Sequence, residues 1–145
     1  MGRQLILDTS ILVAVEREVV EATALGMPED DVAIAALTLA EYPARMDFAT
    51  KPRLTARRMA FLDALRSTVE ILAYTEETAV WHTQLLDAAD SQGKPRGAHD
   101  LIIAAHAAET GRILVTADAR ADFATLPGVT VEVVSAPLVS GSQNP

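Results

Sequence analysis

The sequence predicts an α/β domain with a central parallel sheet of about five strands flanked by helices. Short β-branched or aliphatic runs alternate with stretches of helical periodicity along the chain. Strands separated by helices pair in parallel, and the helices then cover both faces of the sheet. Composition fits this picture. Of 145 residues, 50% are hydrophobic but only 4% aromatic, so the core must be aliphatic. A chain of this length builds one core without staples.

Taken in order, strands are predicted at 3–8 (RQLILD), 32–36 (VAIAA), 69–72 (VEIL), 112–115 (RILV) and 129–134 (VTVEVV). Helices are predicted near 10–24, 39–49, 54–66, 76–91 and 100–110, with a short helical turn around 119–125. The turn-forming stretches GMPEDD, TKPR, SQGKPRG, ETGR and LPG separate them. Pro43 is awkward in the second helix, since it removes an N–H donor and crowds the preceding turn, and predicts a distorted helix start. No internal repeat or domain linker is visible. The end of the chain, SAPLVSGSQNP, has the composition of a mobile tail.

Several chemistries are excluded. There is no cysteine, hence no disulfide, thiolate metal site or cysteine nucleophile. No apolar run approaches the roughly 18 residues of a membrane span. The opening MGRQLILDTSILVAV reads as a strand, because Asp8 interrupts its apolar run, and not as a signal peptide. A soluble cytoplasmic protein is therefore expected. A net charge of −8 argues against simple electrostatic binding of nucleic acid. Residues 51–66 are the exception, with five basic residues against one aspartate. That segment reads either as solvated helix surface or as a sorted patch of charge.

In open parallel sheets, ligands sit beyond the carboxyl ends of the strands. Asp8 closes the first strand and could cap the next helix or serve as a ligand. Glu41 follows the second strand and could belong to a Thr38-x-x-Glu41 capping box. Asp100 opens a helix whose face carries Ile103, Ala104 and Ala107. A favourable helix dipole, about 0.3–1 kcal/mol, does not explain an aspartate facing inward, so a ligand role is preferred. Asp118 follows the fourth strand, with Asp122 close behind, and either could cap the short helix. Individually these signals are weak. Together they describe acids at converging strand ends, whose mutual repulsion would shift their pKa values or destabilise the fold. Hard divalent cations remove the repulsion, an all-oxygen site suits Mg²⁺ or Mn²⁺, and two ions balance four carboxylates. His99 and His106 share a stripe roughly 100–120° from Asp100, which predicts bystanders, core packing being the preferred role.

The pattern LILDTSILVA…LAEYPARM…GAHDLIIAAHA…LVTADARADF resembles the PIN-domain ribonucleases, and within them the VapC-type toxins of toxin–antitoxin pairs. It covers residues 4 to about 134, placing a PIN domain at 1–135 and a flexible tail at 136–145. The resemblance implies a PIN-like three-layer fold and an acidic pocket for one or two Mg²⁺ or Mn²⁺ ions. It carries the family's acids onto Asp8, Glu41, Asp100 and Asp118, with Ser10 and Thr116 in supporting positions. Two departures stand out: Pro43 falls where the family continues a plain helix, and the fourth acid varies in position, leaving Asp122 as a rival to Asp118.

The implied activity is metal-dependent hydrolysis of RNA phosphodiester bonds, often in tRNA or rRNA, with no histidine or serine nucleophile. Lys51, Arg53, Arg57 and Arg58, and then Lys94 and Arg96, are candidate RNA contacts that would offset the acidic body. The resemblance also implies a cognate antitoxin, a basic partner suiting the negative charge, and a homodimer. Leu54, Phe61, Leu62 and Leu65 could line the antitoxin's groove or simply pack in the core. Competing expectations are a PIN ribonuclease of RNA processing without an antitoxin and, more remotely, a Mg²⁺-binding regulatory domain without catalysis. The latter would want paired acids at the first strand and a late lysine, and no lysine follows Lys94.

Overall fold

The computed structural model of the protein describes residues 2–44 and 52–135. Among them, strands β1 (Gln4–Leu7), β2 (Asp31–Ala35), β3 (Glu70–Leu72), β4 (Ile113–Thr116) and β5 (Thr130–Val133) form one sheet in the order β3-β2-β1-β4-β5. Every pairing is parallel, with Leu5 facing Val32 on one side and Ile113 on the other. The helices are α1 (Thr9–Glu16), α2 (Ala36–Ala44), α3 (Pro52–Arg66), α4 (Glu76–Gln92) and α5 (Ala98–Thr110). No described helix is long and apolar enough to cross a membrane.

The two-residue period of the strands sorts the core into two faces. Leu5 and Leu7 of β1 pack with Ile11, Leu12 and Val15 of α1, Tyr42 of α2, and Leu62 and Leu65 of α3. Ile6, between them, joins Leu85 of α4 and Leu101, Ile103 and Ala104 of α5. The result is three layers with Leu5, Ile6 and Leu7 of β1 fully buried in the middle one. Each such Leu or Ile contributes about 1.5–3 kcal/mol when taken from water. At the amino end of the sheet, buried Arg112 donates to the carbonyls of Leu5 (3.1 Å) and Asp31 (2.9 Å) and to Glu70 Oε2 (2.8 Å), strapping three strands together.

This topology locates the site. The chain steps outward from β1 to β3, then returns to lay β4 against the other side of β1. The strand order therefore reverses between β1 and β4, and the crevice beyond their carboxyl ends is the ligand position in such sheets.

Three boundaries differ from the sequence expectation. Helix α1 stops at Glu16 and not at residue 24. Glu18 turns left-handed (φ 60°), and the Glu18 and Val19 amides close back onto the Val15 and Ala14 carbonyls, a Schellman-type end built without glycine. A short 3₁₀ turn follows at Ala22–Leu25. Helix α2 begins at Ala36, directly out of β2, so Pro43 falls near the end of its described part and not at a distorted start. Helix α5 begins at Ala98, which moves His99 and Asp100 together into its first turn. The expected end of the second helix (45–49), Lys51 and the expected tail (136–145) lie outside the described residues.

Candidate active site

Asp8 sits just past β1 and is only 5% exposed. It occupies the N-cap position of α1, yet its side chain makes no capping bond, so the capping alternative is not realised. Its Oδ2 instead accepts from Ser10 Oγ (2.7 Å) and from Thr116 Oγ1 at the end of β4 (2.8 Å). Each hydroxyl has one proton, and both protons go to the same carboxylate oxygen. The amide of Ala117 donates to Ser10 Oγ and that of Asp118 to Thr116 Oγ1, each at 3.0 Å, which fixes the hydroxyl rotamers. Asp8 Oδ1 has no hydrogen-bond partner, and no cation pairs with Asp8, among the described residues. A nearly buried carboxylate with one oxygen held and no counter-charge is costly unless a cation completes it.

Glu41 lies in the second turn of α2 with its side chain 13% exposed. The capping box is absent: Thr38 is inside the helix, fully buried, and its hydroxyl has no partner. The Glu41 carboxylate is gripped from two other elements. Thr9 Oγ1 donates to its Oε1, and His99 Nδ1 lies 2.7 Å from its Oε2. An ionised carboxylate only accepts, so Nδ1 carries the proton and donates. His99 is thus no bystander. The sequence reading missed this contact because its partner comes from α2, 58 positions away, which no local spacing reports. His106 does pack in the core, 1% exposed, and burial lowers its pKa.

Asp100 is in the first turn of α5 and partly buried. Its Oδ2 would lie 3.3 Å from a Cβ placed on Gly97, so the glycine before the helix leaves room for this carboxylate. Asp118 caps the 3₁₀ turn Ala119–Ala121, accepting from the Arg120 amide at 3.0 Å. Asp122, the rival acid, is left-handed (φ 52°) and paired with Lys94 Nζ at 2.9 Å. The hydrogen bond from Lys94 holds its carboxyl below the usual range.

The candidate RNA contacts are largely engaged elsewhere. Arg96 donates to the carbonyls of Ala121 (2.7 Å) and Asp122 (3.0 Å), so with Lys94 it braces the 3₁₀ segment after β4. Arg58 is turned inward onto Glu16 at 3.0 Å, both side chains being nearly buried, while Arg57 reaches Glu18 at the surface (3.5 Å). Arg53 is exposed. Of the proposed groove residues, Leu62 and Leu65 are core, Phe61 packs at a tilt on Tyr42 (6.1 Å), and Leu54 is partly buried. The Tyr42 hydroxyl is itself buried, and burial, with Glu16 second, pushes its pKa up to about 12.

Asp8, Glu41 and Asp118 thus follow three adjacent strands, and Asp100 opens the helix leading into β4. Their convergence is topological: among the described residues, no three His, Asp or Glu side chains come close enough to enclose an ion. The donor chemistry nevertheless fits a hard divalent cation. All the acids offer oxygen, and Asp8 presents one oxygen with no counter-charge among the described residues.

Residues 5–128 match the PIN domain family model, and the chain belongs to that family. The tRNA(fMet)-specific endonuclease VapC of Salmonella typhimurium is 31% identical over 58% of this chain, and that match spans 63% of the relative. Ribonuclease VapC1 of Rickettsia felis is 29% identical over 90% of this chain and 96% of its own length. Among solved structures, a member of the VapBC family of toxin-antitoxin systems, VapBC-5 from Mycobacterium tuberculosis, superposes with a TM-score of 0.68 at 28% identity, covering 92% of this chain and 99% of that one.

Proposed function

We propose that this protein is a metal-dependent endoribonuclease acting in the cytoplasm as the toxin of a type II toxin–antitoxin pair. The observation that carries the reading is Asp8, nearly buried at the strand-order reversal with one oxygen held by Ser10 and Thr116. The relatives' names supply the reaction class: both are ribonucleases, one of them specific for a tRNA. Asp8 and Asp100 would hold Mg²⁺ or Mn²⁺, with Glu41 and Asp118 ligating through water or holding a second ion. A bound ion would supply an activated water nucleophile and offset the charge that builds on the scissile phosphate. The chain's own residues do the positioning. Ser10 and Thr116 fix the Asp8 carboxylate, Thr9 holds Glu41 from α1, and the Gly97 turn leaves space for Asp100.

The phosphate backbone must approach a body of net charge −8. Of the candidate contacts in the basic segment, Arg53 and Arg57 are exposed and could meet it, whereas Arg58 is committed to Glu16. A basic antitoxin segment suits the same acidic surface, and a homodimer is proposed with it.

Purified protein is expected to cut a tRNA or rRNA pool when Mg²⁺ or Mn²⁺ is present, to stop with EDTA, and to resume when either ion is restored in excess. Cleavage that persists in EDTA would overturn the metal assignment. Expression alone is expected to arrest growth, and co-expression of a cognate antitoxin to relieve the arrest.

A further inference from the structure

The contact between His99 and Glu41 is not used by any step above, and nothing in the family reading requires a histidine there. Three features make it more than a surface pair. First, the Glu41 side chain is only 13% exposed, so its oxygens are held by protein more than by water. Second, its two oxygens are held by different elements: Oε1 by Thr9, the first residue of α1, and Oε2 by His99 Nδ1 (2.7 Å) from α5. Third, Thr9 and His99 each adjoin another of the acids, Asp8 and Asp100. The two bonds therefore tie the Glu41 carboxylate to the backbone segments that carry Asp8 and Asp100.

We propose that His99 is a positioning residue for the metal site, clasping Glu41 from α5 so that its carboxylate stays in register with Asp8 and Asp100. This rests on the reading of the site as a metal centre. Hydrogen bonds to a ligating carboxylate orient it and tune its affinity, and their loss typically costs about 10- to 100-fold in metal affinity. The imidazole is half-exposed, and a polar contact open to solvent is expected to contribute little to stability. It acts through Glu41, and its relevant atom is Nδ1.

The substitution His99→Asn keeps a donor close to the Nδ1 position, whereas His99→Ala removes it. Mn²⁺ binding to the purified chain is read calorimetrically, beside the melting temperature. The expected result is an affinity about 10-fold weaker in His99→Ala, near-normal affinity in His99→Asn, and melting temperatures within about 3 °C of one another. In a Glu41→Ala background, His99→Ala is expected to have no further effect, because the group it positions is gone. Equal Mn²⁺ affinity in His99→Ala and the unmodified chain overturns the proposal, and so does an Asn variant as weak as the Ala variant. Asp8→Asn separates the two levels of argument. If it abolishes binding while His99→Ala leaves binding intact, only the positioning role falls. If the unmodified chain takes up no Mn²⁺, the metal centre and the positioning role fall together.

Discussion

Asp8 shows how the setting of a single side chain is made by groups remote in sequence. Thr116, which holds its Oδ2, lies 108 residues away. The two hydroxyls stiffen the carboxylate without neutralising it, leaving a charge for a cation to satisfy. Replacing both, as Ser10→Ala with Thr116→Val, is expected to lower Mn²⁺ affinity and RNA cleavage by about 10- to 100-fold while the circular dichroism spectrum is retained. Unchanged cleavage rates would mean that the hydroxyls are mere packing. Whether Asp8 capped α1 or faced the pocket was open in the sequence, because both roles ask for an acid at a helix start. The choice depends on Thr116 arriving beside it, which no local spacing reports. Asp100 drew notice for the opposite reason: an acid on an otherwise apolar helix start is unusual in itself, and the structure places it in the first turn of α5, partly buried. The contact of His99 with Glu41 was missed because the two lie 58 residues apart and on different helices.

Among the secondary elements, strands and long helices were read well where periodicity and punctuation agreed. Helix α4 illustrates this, opening with Thr75 as its cap and closing at left-handed Gly93. Helix α1 was read too long because Val19 and Val20 continue the apolar pattern, while the chain turns at Glu18, a residue that gives no stop signal. A non-glycine residue held left-handed costs about 1–2 kcal/mol. Glu18→Gly is therefore expected to stabilise the protein by up to about 1 kcal/mol once the greater freedom of glycine in the unfolded chain is deducted. The exposed ion pair with Arg57 is a small loss by comparison. A urea midpoint that rises with an unchanged slope supports this, and a lower midpoint contradicts it. The capping box in α2 failed for a related reason: β2 runs straight into the helix, so Thr38 is interior and cannot cap.

Across the whole molecule, the fold class followed from alternation alone, and the strand order then placed the acids at neighbouring strand ends. What alternation could not show is how charge is sorted over the surface. Lys94, Arg96 and Arg58 looked like a nucleic-acid footprint, yet each is matched to an acid or a carbonyl of the same chain. The two layers also differ in their response to pH. Burial lowers the pKa of His106, and also of His82, on the α4–α5 side, so the native state favours the neutral imidazoles. Above the ordinary histidine value of 6.5 neither state binds the proton. Below it the unfolded chain does so first, and stability is lost as pH falls. Denaturation midpoints are expected to decline from pH 7.5 to 5.5, and less steeply in His106→Gln. An identical slope in that variant would remove His106 as a cause.

The most direct measurement is RNA cleavage in excess Mn²⁺ by the unmodified protein and by Asp8→Asn, compared at equal concentrations of folded chain. Asparagine keeps the size of Asp8 and one oxygen to accept from Ser10 and Thr116, but removes the charge and puts an NH2 donor in place of the other oxygen. Cleavage by the unmodified protein and a loss of at least about 100-fold in Asp8→Asn, with the melting temperature maintained, is the predicted result. Equal cleavage by the two proteins, or none by either, would contradict a metal-dependent ribonuclease centred on Asp8.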